Sequence, residues 1–271
     1  MIKQRKFLEE KVRLRTLQIE KQKTEILGKN KELINLNKEL AGINATKDRF
    51  FSIIAHDLRN PFNSIIGLAD IVLYNFHNYD SEKIKKSISD IKDASKQAHE
   101  LLQNLLLWSR SQTGSMGFQA VGFDLNSIII ENMELLKSQA NKKNIQLISS
   151  VKDNYTVSGD MNMIDTILRN LLTNAIKFTP QNGRIFIAAN EMQNHHEISV
   201  KDTGVGITPE NISKLFRIDI KYSTKGTEME RGSGIGLILC KEFVEKHSGK
   251  IWVESQQEKG SEFKFTLPKQ M

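Results

Sequence analysis

Residues 49–70, RFFSIIAHDLRNPFNSIIGLAD, decide how the rest of the chain is read. Phe51, Ile54, Leu58, Phe62, Ile65, Ala69 and, just beyond, Val72 recur at three- and four-residue steps, which predicts an amphipathic helix with one buried stripe. His56 falls off that stripe and starts a second line, His56, Asn60, Asn63, Gly67 and Asp70, expected to face water. A solvent-facing imidazole is a candidate nucleophile when one ring nitrogen is held and the other is free. Asp57 can accept the Nδ1 proton and leave Nε2 to attack. Asn60 stands one turn further on, and Pro61 removes a helix hydrogen bond, so the helix is expected to kink or loosen there.

Upstream of this stretch, Val12, Ile19, Ile26, Leu33 and Leu40 lie seven apart, with Leu8, Leu36 and Ile43 on companion positions. That pattern predicts a coiled coil over residues 1–45, weak in the middle, where the companions Arg15, Gln22 and Lys29 are polar. Its seam can be hidden only against a second copy. Residues 1–49 carry 13 Lys and Arg against 7 Asp and Glu, so nearly all of the net charge of +7 sits there. A basic segment suits nucleic acid or an anionic membrane surface, but solvated helix faces explain it equally well, and no nucleic-acid partner is expected.

Downstream, Asp80 or Ser81 starts a second helix bearing Ile84, Ile88, Ile91, Ser95, Ala98, Leu102 and Leu105. Two such helices cannot cover their own stripes, so residues 46–113 are expected to form a helical hairpin that pairs with a second copy into a four-helix bundle. His77 and His99 are expected to be structural. Small and polar residues mark a linker at 114–117. Residues 118–271 then read as mixed helix and strand. Expected are helices capped by Asp124 and Asp160, strands near 145–149, 155–158, 184–190, 197–201, 250–255 and 261–267, and helices near 208–215 and 234–247. His195 and His196 are expected in an exposed turn.

Four segments of this half suggest a nucleotide site. Asn170, Asn174 and Lys177 share one helix face; amide oxygen is a hard ligand for Mg²⁺, and lysine supplies charge to phosphate. In VKDTGVGI, Asp202 can accept from an exocyclic amine such as adenine's, while Gly204 and Gly206 allow close backbone approach. Leu215, Phe216 and Arg217 lead into a long polar loop of the kind that forms lids. In RGSGIGL, Gly232, Gly234 and Gly236 run into a helix start, where backbone N–H groups attract phosphate. No strand precedes this last segment in a βαβ unit, which argues against a dinucleotide fold.

HDLRNP in its apolar frame, followed in order by RNLLTNAIKFTP, VKDTGVGI, LFR and RGSGIGL, resembles the bacterial sensor histidine kinases of two-component signalling, over about residues 46–268. The resemblance implies a mixed sheet backed by helices, the α/β sandwich of the histidine kinase and gyrase ATPases, behind the coiled coil and the dimerising hairpin. It assigns Asn174 to Mg²⁺ with Asn170 in support, Lys177 to phosphate, Asp202 to adenine, Gly234 and Gly236 to lid and phosphates, and Thr266 to adenine. It implies ATP as phosphoryl donor, His56 as acceptor, a homodimer, and an aspartate of a separate response regulator as the next acceptor. Asn60 would position water for dephosphorylating that regulator. LFRIDIKYSTKG departs from the family's phenylalanine-rich pattern, which leaves the lid contacts of Phe216 and Arg217 open.

Two readings from other classes remain open: a gyrase-like ATP-driven conformational machine, and a catalytically inactive coiled-coil adaptor. A single cysteine, Cys240, excludes an internal disulfide framework, and no apolar run approaches the roughly 20 residues of a membrane span. The chain as given is therefore expected to be cytoplasmic. The resemblance allows inner-membrane attachment through a sensor region absent from it.

Overall fold

The computed structural model describes residues 2–76, 78–112, 116–220, 224–228, 230 and 234–269. Its contacts divide the chain into residues 1–52 and 53–271. In the first unit the chain is helical, the opening part of α1 (Ile2–Tyr74). Val12, Ile19, Ile26, Leu33, Leu36, Leu40 and Ile43 are each 53–62% exposed in the single chain. A row of apolar side chains at this spacing and exposure matches an unpaired coiled-coil seam. The side chain of Leu8 lies outside the described residues.

In the second unit α1 continues through Pro61 without a break in its helical assignment. A tight connection follows, with Tyr79 N–H donating to the Asn75 carbonyl (2.9 Å). Then α2 (Ser81–Gln112) begins with its N-terminal turn capped by Asp80, whose Oδ1 accepts from Lys83 N–H at 2.8 Å. The buried line on α2 is Ala98, Leu101, Asn104, Trp108 and Ser111, so Leu101 is inside where the spacing pointed to Leu102. His77 and the linker residue Gly114 lie outside the described residues.

Residues 121–268 build the α/β part. Asp124 and Asp160 accept from the backbone N–H groups two and three residues on, which starts α3 (Leu125–Lys142) and α4 (Met161–Phe178) where their apolar periodicity begins. A five-stranded sheet has the order β2 (Gln146–Ser149), β4 (Arg184–Glu191), β5 (His195–Asp202), β7 (Gly260–Pro268), β6 (Ile251–Gln256). Only β2 and β4 run parallel. One face carries Ile185, Ile187, Ile198, Val200, Phe265 and Leu267 against Ile164, Ile167, Leu168, Leu171 and Leu172 of α4 and Leu239 and Phe243 of α6 (Gly236–Lys246). Each such fully buried side chain contributes about 1.5–3 kcal/mol. This core fixes the end of β5, the last turns of α4 and the first turn of α6.

Two further expectations are corrected, and one element is new. His195 and His196 belong to β5: the ladder extends to the Glu191–His196 pair and closes through Met192 N–H to the His195 carbonyl, and His196 is buried with Nδ1 3.0 Å from the Tyr155 hydroxyl. The helix expected over 208–215 is only α5 (Pro209–Ile212) before it gives way to turns. An unexpected two-stranded sheet joins β1 (Val121–Asp124) to β3 (Thr156–Gly159).

Candidate nucleotide and phosphoacceptor sites

The end of β5, the end of α4 and the start of α6 surround a cavity of about 550 Å³, a size usual for a small-molecule site. Asp202, Gly206, Asn170, Asn174, Lys177, Gly234 and Gly236 all line it. Segments far apart in sequence thus meet at one place.

Asp202 closes β5 on its inward face and is buried. Its Oδ1 accepts from Gly204 N–H (2.8 Å) and Ser261 N–H (3.2 Å). Burial pushes its carboxyl up to about 6, against those two hydrogen bonds, which work to lower it. A buried carboxylate fixed through one oxygen offers the other to an amine N–H. Gly206 supports this corner with φ +68, and a Cβ there would run into the Gln256 carbonyl, so the turn admits only glycine.

Asn170 donates from Nδ2 to the Thr166 carbonyl one turn earlier (2.9 Å). That fixes the amide orientation and leaves Oδ1 directed at α6, where a Cβ on Gly236 would collide with it. Lys177 is buried beside Phe178, its Nζ 4.6 Å from the ring centroid. Burial lowers its pKa; Glu230 and Glu100 work to raise it, and Lys143 adds to the lowering. Among the described residues the N-cap of α6, Ile235, makes no side-chain cap, and Gly234 before it sits at φ +70. Its N–H groups and helix dipole are therefore available to an anion.

Other expected residues lie elsewhere. Thr266 does not border the cavity: on β7, Phe263, Phe265 and Leu267 point inward, so Thr266 takes the outer face, where its hydroxyl accepts from Lys250 N–H at 2.9 Å. The β7 residues at the cavity are Ser261 and Phe263, and strand alternation counted back from Phe265 would have found them. Leu215 borders the cavity; Phe216 and Arg217 do not, and Arg217 forks onto Asp219 (2.6 and 3.0 Å). Gly232 lies outside the described residues. Gly204 stands behind Asp202 as one of its donors. Lys143 and Glu230 border the cavity without having been singled out.

His56 lies on α1 with its side chain 61% exposed and Nδ1 3.1 Å from Asp57 Oδ1. Asn60 is exposed one turn later. Against known families, residues 46–114 match the His Kinase A (phospho-acceptor) domain and residues 159–271 the Histidine kinase-, DNA gyrase B-, and HSP90-like ATPase.

The chain belongs to the histidine kinases.

Its relatives in that family include the adaptive-response sensory kinase SasA of Thermosynechococcus vestitus, 33% identical over 82% of this chain and 60% of that protein. Another is the circadian input-output histidine kinase CikA of Synechococcus elongatus, 30% identical over 90% of this chain and 33% of that protein. The chain thus spans about a third to three fifths of the length of these relatives. Among solved structures, histidine kinase ThkA, crystallised in complex with the response regulator protein TrrA, is 29% identical with a TM-score of 0.65, over 81% of this chain and 60% of that one. The domain matched over residues 159–271 is thus of an ATPase type. Among the described residues no helix is long and apolar enough to cross a membrane.

Proposed function

We propose that this chain transfers the γ-phosphoryl group of ATP to Nε2 of His56 and then passes it to an aspartate of a response regulator. The observation that carries the reading is the exposed His56 imidazole with Nδ1 against Asp57. With the Nδ1 proton held by the carboxylate, the Nε2 lone pair attacks phosphorus, the bond from phosphorus to the bridging oxygen breaks, and ADP leaves. Asp57 steadies the positive charge that develops on the ring. In the cavity, Asp202 takes the adenine amine, Lys177 and the N-terminus of α6 take phosphate oxygens, and Gly206 and Gly234 let the backbone approach.

Among the described residues no group of His, Cys, Asp and Glu could hold a metal by itself. The amide oxygens of Asn170 and Asn174 fit Mg²⁺ when phosphate and water complete its shell. Bound there, the ion would neutralise charge on the transferred phosphoryl group. Asn174, with Asn170 in support, would hold it.

We further propose a signalling coiled coil over 1–45, a dimerisation and phosphoacceptor hairpin over 46–113, and a catalytic domain over 118–271. A homodimer is supported by apolar hairpin residues open in the single chain, among them Phe62, Ile66, Ile71, Leu102 and Leu106. An ATP-driven machine of the gyrase type has no use for the phosphoacceptor hairpin, and the inactive adaptor has none for the cavity. Asn60, exposed one turn from His56, supports a second activity, the placing of water against a phosphorylated regulator. Attachment of a longer protein to the inner membrane stays a proposal.

The test is phosphotransfer. Protein labelled from γ-labelled ATP and freed of nucleotide should lose its label to an added receiver domain whose aspartate is intact. Retention of label against every regulator of the host would contradict the second step. An unchanged rate of regulator dephosphorylation in Asn60→Ala would remove the phosphatase reading.

A further inference from the structure

Lys143 caps the end of α3 and its side chain is 3% exposed. A buried ammonium has three donors to place, and here they meet oxygens from two other segments. Nζ lies 3.1 Å from the carbonyls of both Ile176 and Lys177, 3.5 Å from that of Thr179, 2.8 Å from Thr227 Oγ1 and 2.5 Å from Glu230 Oε1. The carbonyls are the last of α4 or just past it, where intrahelical partners run out and the dipole favours a cation.

Thr227 completes the junction. Its N–H donates to the Lys177 carbonyl (3.0 Å) and its hydroxyl to that of Thr179 (3.0 Å). Glu230 is bound on both sides: Oε2 accepts from Glu228 N–H and its carbonyl accepts from Gly226 N–H, each at 2.8 Å. Burial works to raise the Glu230 carboxyl, and its hydrogen bonds, led by that from Lys143, outweigh it and leave it below the ordinary value. Gly226 is pressed so closely on α4 that a Cβ would strike Lys177 and Glu230.

We propose that Lys143 and Glu230 are positioning residues for nucleotide. Together they clamp the last turn of α4, which carries Lys177, to the Thr227 stretch that borders the same cavity. Neither is assigned to touch ATP. The inference rests on the nucleotide reading of the cavity and adds a part to it, one that lies outside all the motif segments. It predicts that loosening the clamp misplaces Lys177 and the phosphate end while sparing the adenine corner, which Asp202, Gly204 and Ser261 hold by separate bonds.

The experiment measures affinities of the full chain for ATP and for adenosine in Glu230→Gln, Lys143→Met and the double variant, with melting temperatures alongside. Glu230 is partly exposed, so Glu230→Gln is expected to fold even if Lys143→Met is damaged. In Glu230→Gln, ATP affinity should fall about tenfold, as for other supporting-shell losses, with adenosine affinity within about twofold. The double variant should bind ATP no more weakly than Lys143→Met alone, because the two act as one unit. Unchanged ATP affinity in Glu230→Gln, or equal losses for ATP and adenosine, would overturn the clamp. Wild-type protein that binds adenosine and ATP equally well would also overturn it. Wild-type protein that binds neither would overturn the nucleotide reading itself.

Discussion

His56 Nδ1 and Asp57 Oδ1 stand 3.1 Å apart on neighbouring positions of α1, with the imidazole mostly in solvent and the carboxylate largely covered. The carboxylate therefore orients the ring through Nδ1, and Nε2 is the atom proposed to react. Asp57→Asn keeps the shape but can hold the wrong tautomer. Autophosphorylation measured with saturating ATP should drop by about 10²–10⁴-fold, the usual scale for an acid–base partner. ATP affinity should be unchanged, and a loss confined to affinity would contradict this role.

Asp202 gives a pH signature. Its carboxyl titrates at about 6 in the folded protein, above the ordinary value of 3.8. Adenine's amine needs the charged form, so adenosine affinity should be level above pH 6 and fall about tenfold per unit below it. Adenosine is the probe because it carries no titrating phosphate. The same raised pKa makes the stability contribution of this group largest below pH 3.8 and lost as pH rises through 6. Asp202→Asn should weaken adenosine at pH 7.5 by about 10–100-fold, the worth of a hydrogen bond to a charged group, and abolish the break near pH 6.

Gly236 and Asn170 are coupled by contact. A methyl at Gly236 collides with Asn170 Oδ1, so Gly236→Ala should displace that amide. Titration of kinase activity with Mg²⁺ should then need several-fold more metal at fixed ATP. Asn170→Ala should do the same, and the double variant should be little worse than either. Simple additivity of the two effects would contradict the coupling.

His247 is fully buried and uses both ring nitrogens in its neutral form. Nδ1–H donates to the Phe243 carbonyl (2.6 Å) and Nε2 accepts from Asp160 N–H (2.9 Å), which ties the end of α6 to the start of α4. Burial lowers its pKa, with the Phe243 hydrogen bond and the Asp160 charge working to raise it. A depressed histidine pKa means stability that is present above about 6.5, the unfolded value, and lost progressively as pH falls below it. Because Asp202 works in the opposite direction between pH 7.5 and 5, the test is a comparison: His247→Gln, which keeps an acceptor but does not titrate, should lose less, or gain more, in urea midpoint from pH 7.5 to 5 than the wild-type protein. An identical slope in His247→Gln would assign the pH dependence to other groups.

Much of this molecule was legible because local rules and packing agree. Asp124 and Asp160 begin helices where an apolar period begins, and Asn170, Asn174 and Lys177 share a face that α4 does present to the cavity. Failures have two physical sources. Strand ends carry little hydrophobic signal, so polar His195 and His196 looked like loop although ladder pairing holds them in β5. Long-range polar contacts leave no period at all: Lys143 follows Lys142 in what reads as a solvated basic helix end, and only the fold brings Thr227 and Glu230 to it. The place of Thr266 away from the cavity was legible too, since the alternation of Phe263, Phe265 and Leu267 puts it on the outer face.

His56 is proposed as the phosphoryl acceptor. Incubation of the full chain with Mg²⁺ and γ-labelled ATP, followed by acid and base treatment and by the same experiment on His56→Gln, tests it most directly. The wild-type protein should carry an acid-labile, base-stable label and His56→Gln none, with ATP affinity equal in both. Equal labelling of His56→Gln, or an acid-stable label, would contradict that proposal.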